Sequence, residues 1–202
     1  MKPLNRILIL IVAVVCWSFS YSQTAYITTG DPQITIEGTS NVHDWEETVK
    51  TLNGSGTITW NSDGSFNLTS LLIKIDCKAI KSSHGSIMDN KTYDALKADK
   101  FPTITYKLTA PLVNVKPSAS GIIINAVGQI TIAGVTKSVT MQVKVIGTPG
   151  GQLLFEGTKV FTMTDFGVSP PTAFMGAMKV GDNVTVKFKA NFSKAQASTQ
   201  IN

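Results

Sequence analysis

Val184-Thr185-Val186-Lys187-Phe188-Lys189-Ala190-Asn191-Phe192 puts an apolar side chain at every even position and a polar one at every odd position. Successive side chains of a strand point to opposite faces, so this stretch has one apolar and one wetted side. A helix repeats at about 3.6 residues and would smear the same pattern around its axis. The stretch is therefore a strand that shelters one face.

The same period recurs upstream. Ile34 and Ile36 alternate with Thr35 and Glu37, and Ile58 and Trp60 with Thr57 and Thr59. Ile104, Tyr106 and Leu108 alternate with threonines and Lys107, and Val139 through Val145 does likewise. Phe66–Asp76, Gly121–Ile132 and Gln152–Thr162 are strands with less regular faces. Turn residues separate these runs at Asn61-Ser62-Asp63-Gly64, Ala133-Gly134-Val135-Thr136 and Thr148-Pro149-Gly150-Gly151. Connections this short favour antiparallel neighbours, because parallel pairing needs long crossovers. About eight strands result, an all-β fold. Two stretches break the rhythm. Met88–Asp99 has helical spacing of Tyr93 and Leu96 with Asp89 as N-cap, and predicts the one short helix. Met163–Asp182 contains Pro170 and Pro171 with Phe166, Phe174, Met175 and Met178, and predicts a long apolar flap.

The N-terminus reads as an export signal. Lys2 and Arg6 precede an apolar run from Ile7 to Trp17, with small residues at Ser20 and Ser22 where cleavage is expected. Residues 1–22 are thus a signal peptide, 23–193 one domain and 194–202 a flexible tail, and the expected location is periplasmic or secreted. The run is too short to span a membrane, which takes about 20 apolar residues, so no stable membrane span is expected. A lipid anchor on Cys16 is disfavoured by the bulky Val15 before it. Removal of the signal leaves 16 basic against 13 acidic residues, a net +3 in place of +5. It also removes Arg6, the only arginine, and with it the planar fork used for phosphate and guanine contacts. Nucleic acid is therefore not an expected partner.

No catalytic or metal cluster emerges. His43 lies in Ser40-Asn41-Val42-His43-Asp44-Trp45-Glu46, but no Gly-x-Ser-x-Gly elbow accompanies it and His84 is the only other histidine. The favoured role for His43 is a polar-tipped closure of a loop, with a His43-dependent hydrolase as the alternative. Two distant histidines and a single cysteine lack zinc spacing. A copper(I) site from Met163, Met175, Met178 and His84 is conceivable, but methionine's adaptability to apolar surfaces explains those residues more simply. No cofactor is expected. Cys77 reads as an apolar filler at a strand end, with a reactive thiol or a thiol-linked homodimer as the alternatives.

Against this background, five ordered segments resemble the YceI-like family of exported bacterial lipid-binding proteins. They are Ser40-Asn41-Val42-His43-Asp44-Trp45, Lys100-Phe101-Pro102-Thr103-Ile104-Thr105-Tyr106, Gly128 through Lys137, Thr164-Asp165-Phe166-Gly167-Val168, and Val180-Gly181-Asp182-Asn183-Val184. The resemblance spans about Tyr26 to Phe192. It implies an extended antiparallel eight-stranded barrel, lipocalin-like, holding a polyisoprenoid, an isoprenoid quinone or another long-chain lipid. Ala133 departs from the pattern, because many members carry a polar residue there. The expected cavity lining is Ile34, Ile36, Trp60, Ile104, Tyr106, Ile130, Ile132, Phe155 and Phe188. Trp45, Phe101, Phe166, Phe174 and Met175 are expected to close the mouth, with His43 near the ligand's polar end. Alternation alone fits a ligand-free β-sandwich interaction module equally well, since sandwich interiors alternate too.

Overall fold

The computed structural model describes residues 23–148, 150–173 and 176–196. The expected signal peptide, Phe174, Met175 and the last six residues of the expected tail lie outside the described residues.

The chain begins with β1 (Thr24–Ser40), β2 (Trp45–Val49), β3 (Asn53–Trp60), β4 (Phe66–Asp76) and β5 (Ile80–Ser82). The helix α1 (Ser86–Ala95) follows, then β6 (Thr103–Leu108), β7 (Leu112–Val115), β8 (Ile122–Ile132) and β9 (Val135–Gly147). β10 (Leu153–Thr162), β11 (Thr172–Ala173) and β12 (Met178–Lys194) complete it. Eight strands close a barrel in the order β1, β3, β4, β6, β8, β9, β10, β12, with β12 returning to β1. These eight correspond to the eight alternating runs in the sequence. All the strand pairings are antiparallel, and the β1–β12 seam joins the two longest strands from Tyr26↔Lys194 to Ser40↔Val180. Closure removes the exposed edges that an open sheet would present.

At one end the wall forks. Residues 24–27 of β1 pair with β3, but residues 35–38 pair instead with β2, and β2 pairs with β5. β6 stops at the end of β4 and leaves the outer edge of β5 without a strand beside it. α1 occupies that place. Tyr93 on α1 donates its hydroxyl toward the Lys78 and Ile80 carbonyls, each at 3.0 Å. Leu96, just past α1, packs against both side clusters at this end.

The helix differs from its expected limits. It starts at Ser86 after Gly85, whose φ of 86° favours glycine, and Asp89 is not its cap. Asp89 accepts a hydrogen bond from the Ser82 backbone N–H at 2.8 Å and pairs with Lys81 Nζ at 3.1 Å, so it fastens α1 to β5. The expected long flap is also shorter and more regular. It opens with a 3-10 turn over Met163–Phe166, pairs β11 with β12, and rejoins the sheet at Met178. Cys77 is buried, its thiol 3.4 Å from the Phe101 carbonyl, so it fills the core as expected and offers no thiol to a second chain. Burial together with the Asp76 charge pushes that thiol's pKa up, away from reactive thiolate.

The β8–β9 turn explains Ala133. Ala133 and Gly134 both have positive φ, 48° and 82°, as a two-residue hairpin of primed type requires. Alanine pays for that conformation by burying its methyl group against Phe166 and Val168. Gly134 has no such choice, because the Phe101 ring lies 2.5 Å from where a Cβ would stand.

The interior divides into two halves. Toward the ends of β3 and β12 it is solid, filled by Tyr26, Ile58, Phe66, Leu68, Val145, Leu153, Phe155 and Phe192. Each large side chain fully buried there contributes about 1.5–3 kcal/mol. Tyr26 also receives the Trp60 indole N–H at 2.8 Å and donates to the Gly151 carbonyl at 3.0 Å, so its polar tip is satisfied. The half beside α1 is not filled.

Candidate ligand-binding site

A cavity of about 330 Å³ opens at the forked end of the barrel. That volume is at the lower end of the roughly 300–1,000 Å³ typical of small-molecule sites. Its walls are Ile36 of β1, Ile80 of β5, Ile104 of β6, Ile132 of β8 and Val184 and Val186 of β12. α1 adds Met88, Thr92 and Ala95, whose spacing puts them on one helical face. Ile34 and Val49 pack with Ile80 under the cavity, and Leu52 and Phe188 touch both this group and the solid half, so the two together make a floor. The cavity is blind-ended.

Three connections frame the mouth and are tied to one another. Asn41, in the β1–β2 turn, donates to the Ala177 carbonyl at 2.9 Å and accepts from the Lys179 N–H at 2.7 Å. Thr164 donates its hydroxyl to Asp182 at 2.6 Å, fixing the 3-10 turn against β12. Lys97, beyond α1, reaches the Gly167 carbonyl at 3.1 Å. The His43 and His84 rings stack across the rim with centroids 5.7 Å apart and planes 17° apart. His43 Nδ1 lies 2.8 Å from the Asp44 backbone carbonyl; among the described residues no carboxylate orients its ring.

Trp45 shapes the rim from the opposite strand. Its indole lies over Gly38, where a Cβ would come within 2.2 Å of the ring, and its N–H donates to the Thr39 carbonyl at 3.1 Å. Glu47 follows on the same face and is 6 % exposed. Thr92 of α1 donates its hydroxyl to this carboxylate. Burial raises the Glu47 pKa; the Thr92 hydrogen bond opposes the rise and the nearby Asp89 charge adds to it. Among the described residues no cation pairs with Glu47, since Lys81 is engaged by Asp89 and by the Tyr93 hydroxyl at 2.6 Å.

The structure brings together Ile36, His43, Trp45, Ile104, Ile132 and Phe166 of the expected site around this cavity. Ile34 belongs to the floor, and Ile130 packs behind Phe166. Trp60, Phe155 and Phe188 fall in or against the solid half, because aromatic rings from β3, β10 and β12 interlock there; Phe155 and Phe192 meet edge-on at 5.4 Å. Tyr106 lies between the halves, its ring over Gly128 and its hydroxyl buried without a partner among the described residues, which pushes its pKa up to about 12. Phe101 sits on the β8–β9 turn and does not reach the mouth. The sequence reading missed Glu47 and the α1 face. Trp45, Glu47 and Val49 share one face of β2, but the polar Glu47 hides that face from an apolar period; Met88, Thr92 and Ala95 have helical spacing. An inward-facing carboxylate breaks the apolar rule that reading relied on.

The described residues contain no cluster of three or more metal-ligating His, Cys, Asp or Glu side chains. None of the described helices is long and apolar enough to cross a membrane.

An apolar blind cavity in a closed antiparallel barrel defines a lipocalin-like binding architecture. The YceI-like domain model matches residues 26–192, and the chain belongs to that family. Its fold is similar to Burkholderia cenocepacia BcnA, with a TM-score of 0.61 at 18% identity over 79% of this chain and 95% of that one. It is also similar to a polyisoprenoid binding domain from Saccharophagus degradans implicated in plant cell wall breakdown, with a TM-score of 0.63 at 10% identity over 85% and 99%. A Campylobacter jejuni YceI protein aligns with a TM-score of 0.56 at 17% identity over 75% and 85%. No curated protein sequence matches the chain.

Proposed function

We propose that this protein is an exported, non-enzymatic carrier or reservoir that holds a long-chain isoprenoid or similar amphiphilic lipid in the blind cavity. The observation that carries the reading is the unfilled, almost wholly apolar half of an otherwise close-packed barrel. Native interiors are packed to the density of organic crystals, so a persistent apolar void of this size calls for an occupant. The polyisoprenoid-binding description of the Saccharophagus degradans domain supports the choice of lipid. Each five-carbon unit buried yields up to about 4 kcal/mol gross, at ~0.8 kcal/mol per methylene. Association costs of about 4–15 kcal/mol absorb the first few units, so a tail must bury several units, up to what the chamber of about 330 Å³ admits. The unfilled cavity also weighs against a ligand-free sandwich module, whose sheets would meet across a filled core.

The decisive experiment is native mass spectrometry, with organic extraction, of the protein purified from its own host. One lipid per chain is expected. An empty protein that also fails to take up a neutral naphthylamine dye would overturn the proposal.

A further inference from the structure

We propose that Glu47, held by Thr92 in the cavity wall, anchors an uncharged oxygen head group, a hydroxyl or a carbonyl, and turns away phosphorylated and carboxylate-headed lipids. The inference rests on the lipid-binding reading above and names the chemistry that site selects.

The geometry is specific. Glu47 is two residues inward of the rim residue Trp45, about 7 Å along the strand. It is nine-tenths buried and lines the cavity. Thr92 is its only hydrogen-bond donor among the described residues. Among the described residues no hydrogen bond reaches its second carboxyl oxygen. A ligand that displaces water from the cavity must pair with that oxygen or leave it unpaired, which costs free energy. An ionised carboxylate accepts from a hydroxyl, and a protonated one donates to a carbonyl, so either neutral group satisfies the same site.

An anionic head group meets the opposite situation. Glu47 when ionised puts a negative charge on this wall, and Lys81 does not offset it, being committed to Asp89 and Tyr93. Lys91 also borders the cavity, but on the solvent-exposed edge of α1, where water solvates it. The rim histidines stack face on face, with His43 Nδ1 against the Asp44 carbonyl and His84 Nδ1 against the Ser83 hydroxyl. No arginine is present among the described residues to grip a phosphate by two parallel hydrogen bonds. Like charges brought together without compensation repel, and that repulsion selects by head group alone.

The test uses the full chain loaded with a neutral naphthylamine dye and challenged by three competitors of matched isoprenoid tail. These are a polyprenol, an isoprenoid quinone and a polyprenyl phosphate. The alcohol and the quinone are expected to displace the dye at roughly a hundredfold lower concentration than the phosphate. Whichever of the two is tighter tells hydroxyl from carbonyl. In Glu47→Gln, which keeps the shape and loses the charge, the preference over phosphate is expected to shrink by about tenfold. Thr92→Val, which releases the carboxylate, is expected to weaken the neutral lipids by about three- to tenfold without improving the phosphate. Melting curves confirm that both variants are folded. A phosphate that competes as well as the alcohol, or an unchanged ratio in Glu47→Gln, would overturn the inference while leaving lipid binding intact. Failure of all three lipids to displace the dye would overturn the lipid-binding reading itself, and this inference with it.

Discussion

At the scale of the residue, Glu47 departs furthest from what its surroundings favour. A carboxylate inside an apolar wall is held there by one threonine hydroxyl and lies near a second acid. The folded protein binds the Glu47 proton more tightly than the unfolded chain does. Its contribution to stability is therefore complete below the ordinary value of 4.5 and is lost as pH rises through the raised folded value. Glu47→Gln removes that titration. The variant is expected to melt above the wild type at about pH 8, with the difference vanishing toward about pH 4. Thermal unfolding followed by circular dichroism across that range measures it. A difference that is constant with pH would mean that the carboxyl group is no less comfortable charged than neutral in this wall. Tyr106 is the residue-scale counterpart, a hydroxyl buried without a described partner where β6 passes from the cavity into the core.

At the scale of the element, the β1–β2 hairpin sets the mouth. Gly38 stands directly across from Trp45, and its missing side chain leaves the space in which the indole rests. Gly38→Ala drives a methyl group into that ring. The expected cost is about 1–3 kcal/mol, with the indole swung off the rim and dye release faster. A double-mutant cycle with Trp45→Ala checks the cause: the two losses should add to less than their sum, because the alanine at 45 leaves nothing to collide with. Strict additivity would place the damage elsewhere. Elements also mark where the sequence was readable. The eight barrel strands announce themselves because each is long enough to show an apolar face, with a clean period of two in five of them and a looser one in β4, β8 and β10. β2, β5 and β11 span only five, three and two residues, too short for a period to show. The fork in β1's pairing depends on which neighbour takes each half of a strand, and alternation carries no record of partners. α1 was visible through Tyr93 and Leu96, but its start was set by Gly85 while Asp89 turned to β5.

At the scale of the whole molecule, two functions occupy two halves of one barrel. Alternation predicted a sheltered interior and stayed silent on how it would be shared between side chains and empty space, since Phe155 and Ile104 look alike in the pattern. Phe155 fills the solid half with Trp60 packed on it, Phe188 touches both that half and the floor, and Ile36, Ile104 and Ile132 face the cavity. The division predicts that stability and binding come apart. Leu153→Ala, in the solid half and without solvent exposure, is expected to lose about 2–5 kcal/mol and to retain the dye. Ile132→Trp, which fills the cavity, is expected to abolish dye uptake while costing no more than the roughly 1–3 kcal/mol of an overpacked core. Melting curves and dye titration on the same samples decide it. A folded Leu153→Ala that no longer binds, or an Ile132→Trp that does, would show that the halves are coupled.

The packed floor has a kinetic meaning. A tunnel open at both ends lets an incoming molecule push the resident one out ahead of it, but a chamber with a single door does not. Here the newcomer and the occupant must use the same rim of His43, His84 and Trp45, one after the other. Exchange in free solution then proceeds by departure first and arrival second, at a pace that no excess of competitor can hasten. Only a body that touches the rim could change that pace.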